Sequence, residues 1–371
     1  MMKQPKIFLL IGLFFLTLCF AGYFVTKVFG IKFDIYMKDQ TTPISPTYAV
    51  QKKSSNFEML WTIRPEAIIG LPENEGSILM SSKLNKAYVL SKTGSVTTLN
   101  LIDGMEEQLI RVPYKAMPVP IASTMGINSR MLYIGFESTQ KVQGNMTWGT
   151  GKVEAYDITS GMLKWSQEIP GASSINSLIV TEDTVSVDGS SSSNYYLLDA
   201  ESGEIVESDP KLNTSFVWRI DNNLMYERPH NGPAFQLFNQ EQNKIIWQSE
   251  NFSVIQPPIF TDQRIVAKSG SQAIALNIDN GQPVWQYSKN QNGWSLFSNI
   301  AESNNIVYFI TSERNLLAID ILTGAILGQV QFLPLPNNTR DNDTFHVTAS
   351  GEHVLVHTGS GNQIFSFRFS P

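Results

Sequence analysis

The feature that most constrains this chain is the stretch Ala155-Tyr-Asp157-Ile-Thr-Ser160-Gly161-Met-Leu-Lys-Trp165. Ala155 to Ile158 alternate as a β-strand does, with successive side chains on opposite faces. Asp157 to Gly161 has turn chemistry: a carboxylate that accepts from nearby backbone N–H groups, then hydroxyls, then a glycine that adopts positive φ without strain. Met162 to Trp165 is extended again. The stretch therefore reads as one antiparallel hairpin with a tight turn.

The hairpin recurs. With Gly161 as marker, its counterparts are Gly104, Gly203, Asn243, Gly281 and Gly324, spaced about 40 residues apart except for about 57 between the first two. Asn243 is the replacement expected for a turn glycine, because Asn also tolerates left-handed backbone. A tryptophan follows the marker by four residues at Trp165, Trp247 and Trp285; Gln108, Glu207 and Gly328 take that place elsewhere. Each marked hairpin is preceded by another pair of short alternating strands, from Ala87–Leu90 through His353–Val356. Four antiparallel strands in about 40 residues is the unit of a β-propeller.

The preceding strands occur seven times and the marked turn six times. The last copy ends at Pro371 before its fourth strand, and Glu58-Met-Leu-Trp61-Thr-Ile63 has the missing pattern. The expected fold is all-β: a seven-bladed β-propeller of four-stranded antiparallel blades, with residues near 57–64 supplying the outer strand of the last blade. Such closure removes the free edges of an open sheet.

The repeat resembles the pyrroloquinoline-quinone (PQQ) repeat of quinoprotein-like propellers, Ala-x-Asp-x-x-Thr-Gly-x-x-x-Trp. Ala155, Asp157, Gly161 and Trp165 match it, with Ser160 for Thr; Ala275, Gly281 and Trp285 match with Asn277 for Asp; Ala318, Asp320, Thr323 and Gly324 match without the Trp. The resemblance covers residues 56 to 371 and implies a propeller whose tryptophans dock between adjacent blades. In the quinoprotein enzymes it also implies PQQ and calcium on the axis, an Asp base, and often adjacent cysteines. No cysteine pair exists here, and no stretch aligns with the base and its calcium neighbours. The expectation is a chain with no cofactor, no bound metal and no catalysis.

Lys3 and Lys6 precede an apolar run from Ile7 to Val25. Its length is at the lower edge for a membrane span. An uncleaved signal anchor is the favoured reading; a signal cleaved near Ala21 and lipidation of Cys19 are the alternatives. The expected division is a cytoplasmic tail over 1–6, a transmembrane signal anchor over 7–29, a polar stalk over 30–55, and the propeller over 56–371. The propeller is then extracytoplasmic and attached to the cell membrane. Cys19 is the only cysteine, so no internal disulfide is possible. A formal charge of −6 without a basic block argues against nucleic acid as a partner.

Few residues outside the repeat suggest a site. The repeated acids read as turn formers and the repeated tryptophans as packing. His353 and His357 lie at i, i+4 of one strand, about 13 Å apart and too far to share an ion; His346 is nearby in sequence. Asp341-Asn-Asp343 lacks the glycine and distal glutamate of an EF-hand. The most individual stretch is the insertion Glu137–Gly151, which carries Trp148. Trp148, Trp218, Arg219 and Trp294 are the candidate interaction residues, on loops or inner strands of a rigid scaffold. The favoured function is a non-catalytic, membrane-tethered scaffold for protein partners. At fold level it resembles the propeller lipoprotein of the outer-membrane barrel assembly machinery. The alternatives are a PQQ- and calcium-dependent oxidoreductase, and an extracellular sensor or glycan-binding ring.

Overall fold

A computed structural model describes residues 48–52, 54–63, 78–81, 83–90, 95–110, 121–137, 139–142, 145–148, 150–189, 195–209, 214–219, 224–229, 235–239, 242–249, 252, 258–288, 292–293, 295–334, 345–358 and 363–371. The chain divides into Met1–Ser45 and Pro46–Pro371, and the described residues belong to the second unit. The tail, anchor and most of the stalk expected from the sequence lie outside them. No helix among the described residues is long and apolar enough to cross a membrane.

The described residues open with β1 (Tyr48–Lys52) and β2 (Phe57–Ile63). Sheet 1 then contains β3 (Ile78–Ser81), β4 (Lys86–Leu90), β5 (Val96–Asn100) and β6 (Glu106–Ile110). Sheet 2 takes β7 (Ile121–Ile127) and β8 (Met131–Glu137). A separate ribbon of β9 (Thr139–Val142) and β10 (Asn145–Trp148) follows, and then β11 (Lys152–Asp157) and β12 (Leu163–Glu168) complete the sheet. Sheet 3 has β13 (Ile175–Val180), β14 (Thr184–Gly189), β15 (Tyr195–Asp199) and β16 (Ile205–Asp209). Sheet 4 has β17 (Thr214–Arg219), β18 (Leu224–Pro229), β19 (Phe235–Asn239) and β20 (Lys244–Ser249). Sheet 5 has β21 (Ile259–Phe260), β22 (Arg264–Ser269), β23 (Gln272–Asn277) and β24 (Pro283–Tyr287). Sheet 6 has β25 (Ala301–Ser303), β26 (Ile306–Ile310), β27 (Asn315–Asp320) and β28 (Ile326–Pro334). Sheet 7 has β29 (Phe345–Ser350), β30 (His353–Thr358) and β31 (Gln363–Phe369).

All pairings within the sheets are antiparallel, and β29 lies against both β25 and β3, so the last sheet meets the first. The expected outer strand from the amino-terminal side is present: β2 pairs with β31 from Phe57↔Phe369 to Ile63↔Ile364. The expectation of seven four-stranded blades needs one correction. Six blades are four-stranded, and sheet 6 has five strands because β1 adds to β28, from Tyr48↔Pro334 to Lys52↔Val330. The stalk reading over 30–55 and the propeller start at 56 change with it. Pro43, Pro46 and the Lys52-Lys53 pair give this stretch a linker's composition, yet Tyr48 is buried with its ring 5.4 Å from that of Phe345. One anchored aromatic and an open strand edge outweigh the polar composition.

Apolar side chains lie between the sheets. Clusters join sheets 1 and 2, 2 and 3, 4 and 5, 5 and 6, 6 and 7, and 7 and 1. The repeat motif locks these layers. In sheet 2 the register places Ala155 opposite Trp165 and then Tyr156 opposite Leu163, leaving Lys164 as a bulge. Sheet 5 repeats this with Ala275 opposite Trp285 and Val284 bulged. The small residue leaves room for the indole, and the bulge re-aims it out of its own sheet. The indole then crosses to the next sheet. Trp165 Nε1 donates to Ala200 O at 3.2 Å, Trp247 to Ile278 O at 2.7 Å, Trp285 to Ile321 O at 2.9 Å, and Trp61 to Leu101 O at 2.8 Å.

Each acceptor lies three residues before a marker glycine, and that glycine meets the ring face. A Cβ at Gly203, Gly281, Gly324 or Gly104 would stand 2.4–2.8 Å from an atom of the docked tryptophan. These glycines also have φ between +68° and +76°. Asn243 is tolerated at φ +48° where the preceding sheet offers Glu207 and no tryptophan. In sheet 6, Gly328 takes the tryptophan position, and a Cβ there would press Phe369 at 2.7 Å and Phe57 at 3.1 Å. The joint beside the chain ends is thus filled by phenylalanines.

Two outcomes check this account. A chain beginning at Ser54 loses β1 but keeps β2 and should melt cooperatively a few degrees low, whereas one beginning at residue 64 loses both β1 and β2 and should show no single cooperative transition in calorimetry. In urea unfolding, Gly281→Ala should cost about 2–4 kcal/mol from overpacking and strained φ together, while Asn243→Gly should change stability by about 0.5 kcal/mol or less.

Candidate interaction surface

The repeated residues are consumed by architecture. Asp157 Oδ1 accepts from Ser160 N at 2.8 Å, Ser160 Oγ at 2.9 Å and Thr159 N at 3.1 Å. Asp199 makes the same three bonds to Ser202 and Glu201, and Asp320 to Thr323 and Leu322. Backbone N–H groups and hydroxyls stabilise the ionised form. The Asp157 and Asp199 carboxyls are held below the ordinary range chiefly by the N–H of Ser160 and of Ser202, and Asp320 chiefly by the Thr323 hydroxyl.

The candidate residues fall in different places. Trp148 ends β10 and pairs with Thr139 in the ribbon. The expected loop Glu137–Gly151 is thus partly a β-hairpin. Its base is fastened to the connection that follows β12, where Gly151 N donates to Ala172 O at 2.5 Å and Ile169 N to Gly151 O at 2.8 Å. The ribbon springs from the connection between the second and third strands of its sheet. Trp218 and Arg219 end β17, the first strand of sheet 4, opposite Tyr226 and Met225. Their backbone stands at the end of the sheet where first-to-second-strand turns occur, the other end from the ribbon's origin. Trp294 lies outside the described residues, as do Asp341 and Asp343.

Two half-buried titratable groups stand out in the structure. Asp188 ends the second strand of sheet 3 and accepts from Asn176 Nδ2 at 3.3 Å, across a bulge at Asn176 in β13. Burial pushes its carboxyl up to about 7, against the smaller opposing effect of the Asn176 amide. In sheet 7, the register puts His346 directly opposite His357, and His353 opposite Ser350. The pair that meets is therefore 346 and 357, not 353 and 357. The hairpin turn at Gly351-Glu352 fixes this register, and counting outward from it finds the pair. Burial lowers His346 to about 4, with help from His357 and from Lys268 on β22.

These donors do not fit PQQ with calcium. A calcium-ligating carboxylate must be ionised and supported by further hard oxygens, whereas Asp188 is held protonated towards neutrality and faces one amide. Among the described residues no group of three metal-ligating side chains converges.

A family model described as outer membrane protein assembly factor BamB matches residues 221–369. Among solved structures, BamB from Moraxella catarrhalis resembles the chain with a TM-score of 0.50 at 12% identity, over 85% of this chain and 98% of that one. A chain of the mitotic checkpoint complex resembles it with a TM-score of 0.61 at 13% identity, over 85% of this chain and 96% of that one. An uncharacterized protein of Rickettsia conorii is 23% identical over 184 residues, which is 44% of this chain and 42% of that protein's length. The matched region is less than half of the chain, and the solved structures show the fold: the chain is a β-propeller whose repeat is similar to the PQQ repeat.

Asp188 and His346 have opposite effects on stability. An acid raised in the folded state stabilises it fully below the unfolded carboxylate range, and that contribution is lost as pH rises towards about 7. A histidine lowered to about 4 loses stability as pH falls from about 6.5 towards 4. Asp188→Asn should remove the loss on the alkaline side and stabilise the chain at pH 8 by a few kcal/mol, on the order of 1.4 per pH unit crossed. His346→Gln should remove the loss on the acid side. Urea unfolding from pH 4 to pH 8 reads both.

Proposed function

We propose that the chain is a non-catalytic scaffold, tethered to a membrane through residues 7–29 and presenting its propeller to protein partners in the extracytoplasmic space. The observation that carries this reading is the use of the repeated polar residues. Asp157, Asp199 and Asp320 are engaged in their turns, and the tryptophan N–H groups in their joints. The chemistry of the motif therefore builds a ring and leaves recognition to the stretches that differ between copies. With the five-stranded sheet counted as a blade, that ring has seven. The Trp148 ribbon, Trp218 with Arg219, and Trp294 are candidate contacts. The family model matching residues 221–369 is described as an assembly factor, and one structural neighbour belongs to a multi-protein complex, which agrees with this role.

Two measurements test it together. The full chain should sediment with membranes, and a chain lacking residues 1–29 should remain in the soluble fraction. Saturating PQQ with calcium should leave the melting temperature within about 1 °C, whereas a specific ligand at 100-fold its Kd adds about 2.7 kcal/mol and several degrees. A shift of that size, with dye-linked turnover, would replace the scaffold by an oxidoreductase.

A further inference from the structure

Twelve large apolar side chains are exposed among the described residues, and all twelve lie on fourth strands or on the turns that lead into them. They are not spread evenly around the ring. The four most exposed are Met162 (66%), Met105 (65%), Ile102 (60%) and Val206 (57%), all from sheets 1, 2 and 3, which are consecutive; the next is Ile326 at 51% in sheet 6. Each sits within three residues of a marker glycine, so the rigid turns hold them at one end of their sheets. Leu163 adds a fifth from the same arc.

Charge follows the same arc. The turn and fourth-strand stretches 100–110, 157–168 and 199–209 carry three, two and five carboxylates against one cation, Lys164. The equivalent stretches 54–63, 239–249, 277–287 and 320–334 carry one carboxylate each. The cations that reach the acidic arc each face one of its carboxylates. Lys164 lies 3.4 Å from Asp157, Lys86 3.1 Å from Glu107, and Arg130 3.9 Å from Glu201. Asp103, Glu106 and Glu204 remain beside the apolar side chains, and all three are exposed.

We infer that this arc is a docking surface for a protein segment that is both apolar and basic, in the manner of an amphipathic Leu- and Lys-rich helix. Methionine suits such a surface, because its flexible, polarizable side chain adapts to irregular apolar partners. The surrounding carboxylates select cationic partners and disfavour an anionic bilayer. The inference rests on the scaffold reading and gives it a second surface, apart from the Trp148 ribbon.

The test uses the full chain and a fluorescent synthetic amphipathic Leu/Lys helix, with a Leu/Glu helix as control. One variant carries Ile102→Ser, Met105→Ser, Met162→Ser and Val206→Ser; a control variant carries Met59→Ser and Ile326→Ser, at sites half exposed on sheets 7 and 6. Both should melt within about 2 °C of the parent, because the side chains are exposed. The Leu/Lys helix should bind the parent and the control variant alike, bind the fourfold variant at least about tenfold more weakly, and weaken with salt. Equal affinity for all three proteins, or equal binding of the Leu/Glu helix, would overturn the assignment. So would self-association or binding to zwitterionic vesicles that the fourfold variant abolishes, since the occupant would then be a second copy or lipid. If a membrane partner co-purifies equally with parent and fourfold variant, the scaffold reading stands and the arc falls. Quinone turnover would instead remove the scaffold reading itself.

Discussion

The structure depends on one contact: an indole laid flat on a turn glycine of the next sheet, its N–H bonded to a carbonyl three residues earlier. The contact requires three things at once. The glycine must lack a Cβ, because the ring occupies that space. The turn must hold positive φ, which the Asp or Asn four residues before the glycine stabilises by accepting from N–H groups. The tryptophan must leave its own sheet, which the bulge before it allows at all four sites, with a small residue opposite Trp165, Trp285 and Trp61 and Leu237 opposite Trp247. Motif residues spread along one hairpin thus satisfy a packing problem between two hairpins.

Variation in the motif follows from the same contact. Where no tryptophan arrives, the marker is free to be asparagine, as at Asn243. Where the tryptophan position is Gly328, phenylalanines from β2 and β31 fill the joint, so the two chain segments that close sheet 7 also seal it against sheet 6. Trp61 then carries the standard contact from sheet 7 to sheet 1. The amino-terminal strand therefore completes one blade and locks two interfaces, which makes it a structural element of the ring.

The fold was legible because each joint uses residue types with narrow physical roles, repeated at a fixed period. Trp61 was identified as an outer strand from its likeness to Trp165, and the pairing of β2 with β31 agrees. β1 was less legible, since a strand held by Tyr48 and Val50 on an existing edge needs little alternation of its own. The ribbon carrying Trp148 reads as a loop in the sequence because it is an insertion outside the repeat, with no copy elsewhere to mark its strands. The pairing of His346 with His357 and the setting of Asp188 across a bulge depend on strand register, which the sequence does not print. The apolar and acidic arc is not legible in any one stretch, because its members are far apart in sequence and belong to one arc only once sheets 1 to 3 are packed in succession.

The most direct test of the joint is hydrogen exchange of the indole N–H groups of Trp61, Trp165, Trp247 and Trp285 in the native protein. If each is bonded within a closed ring, all four exchange only through global opening, with opening free energies within about 1 kcal/mol of one another. Trp61 exchanging as fast as an exposed indole, with the others protected, would contradict closure of the ring by the amino-terminal strand.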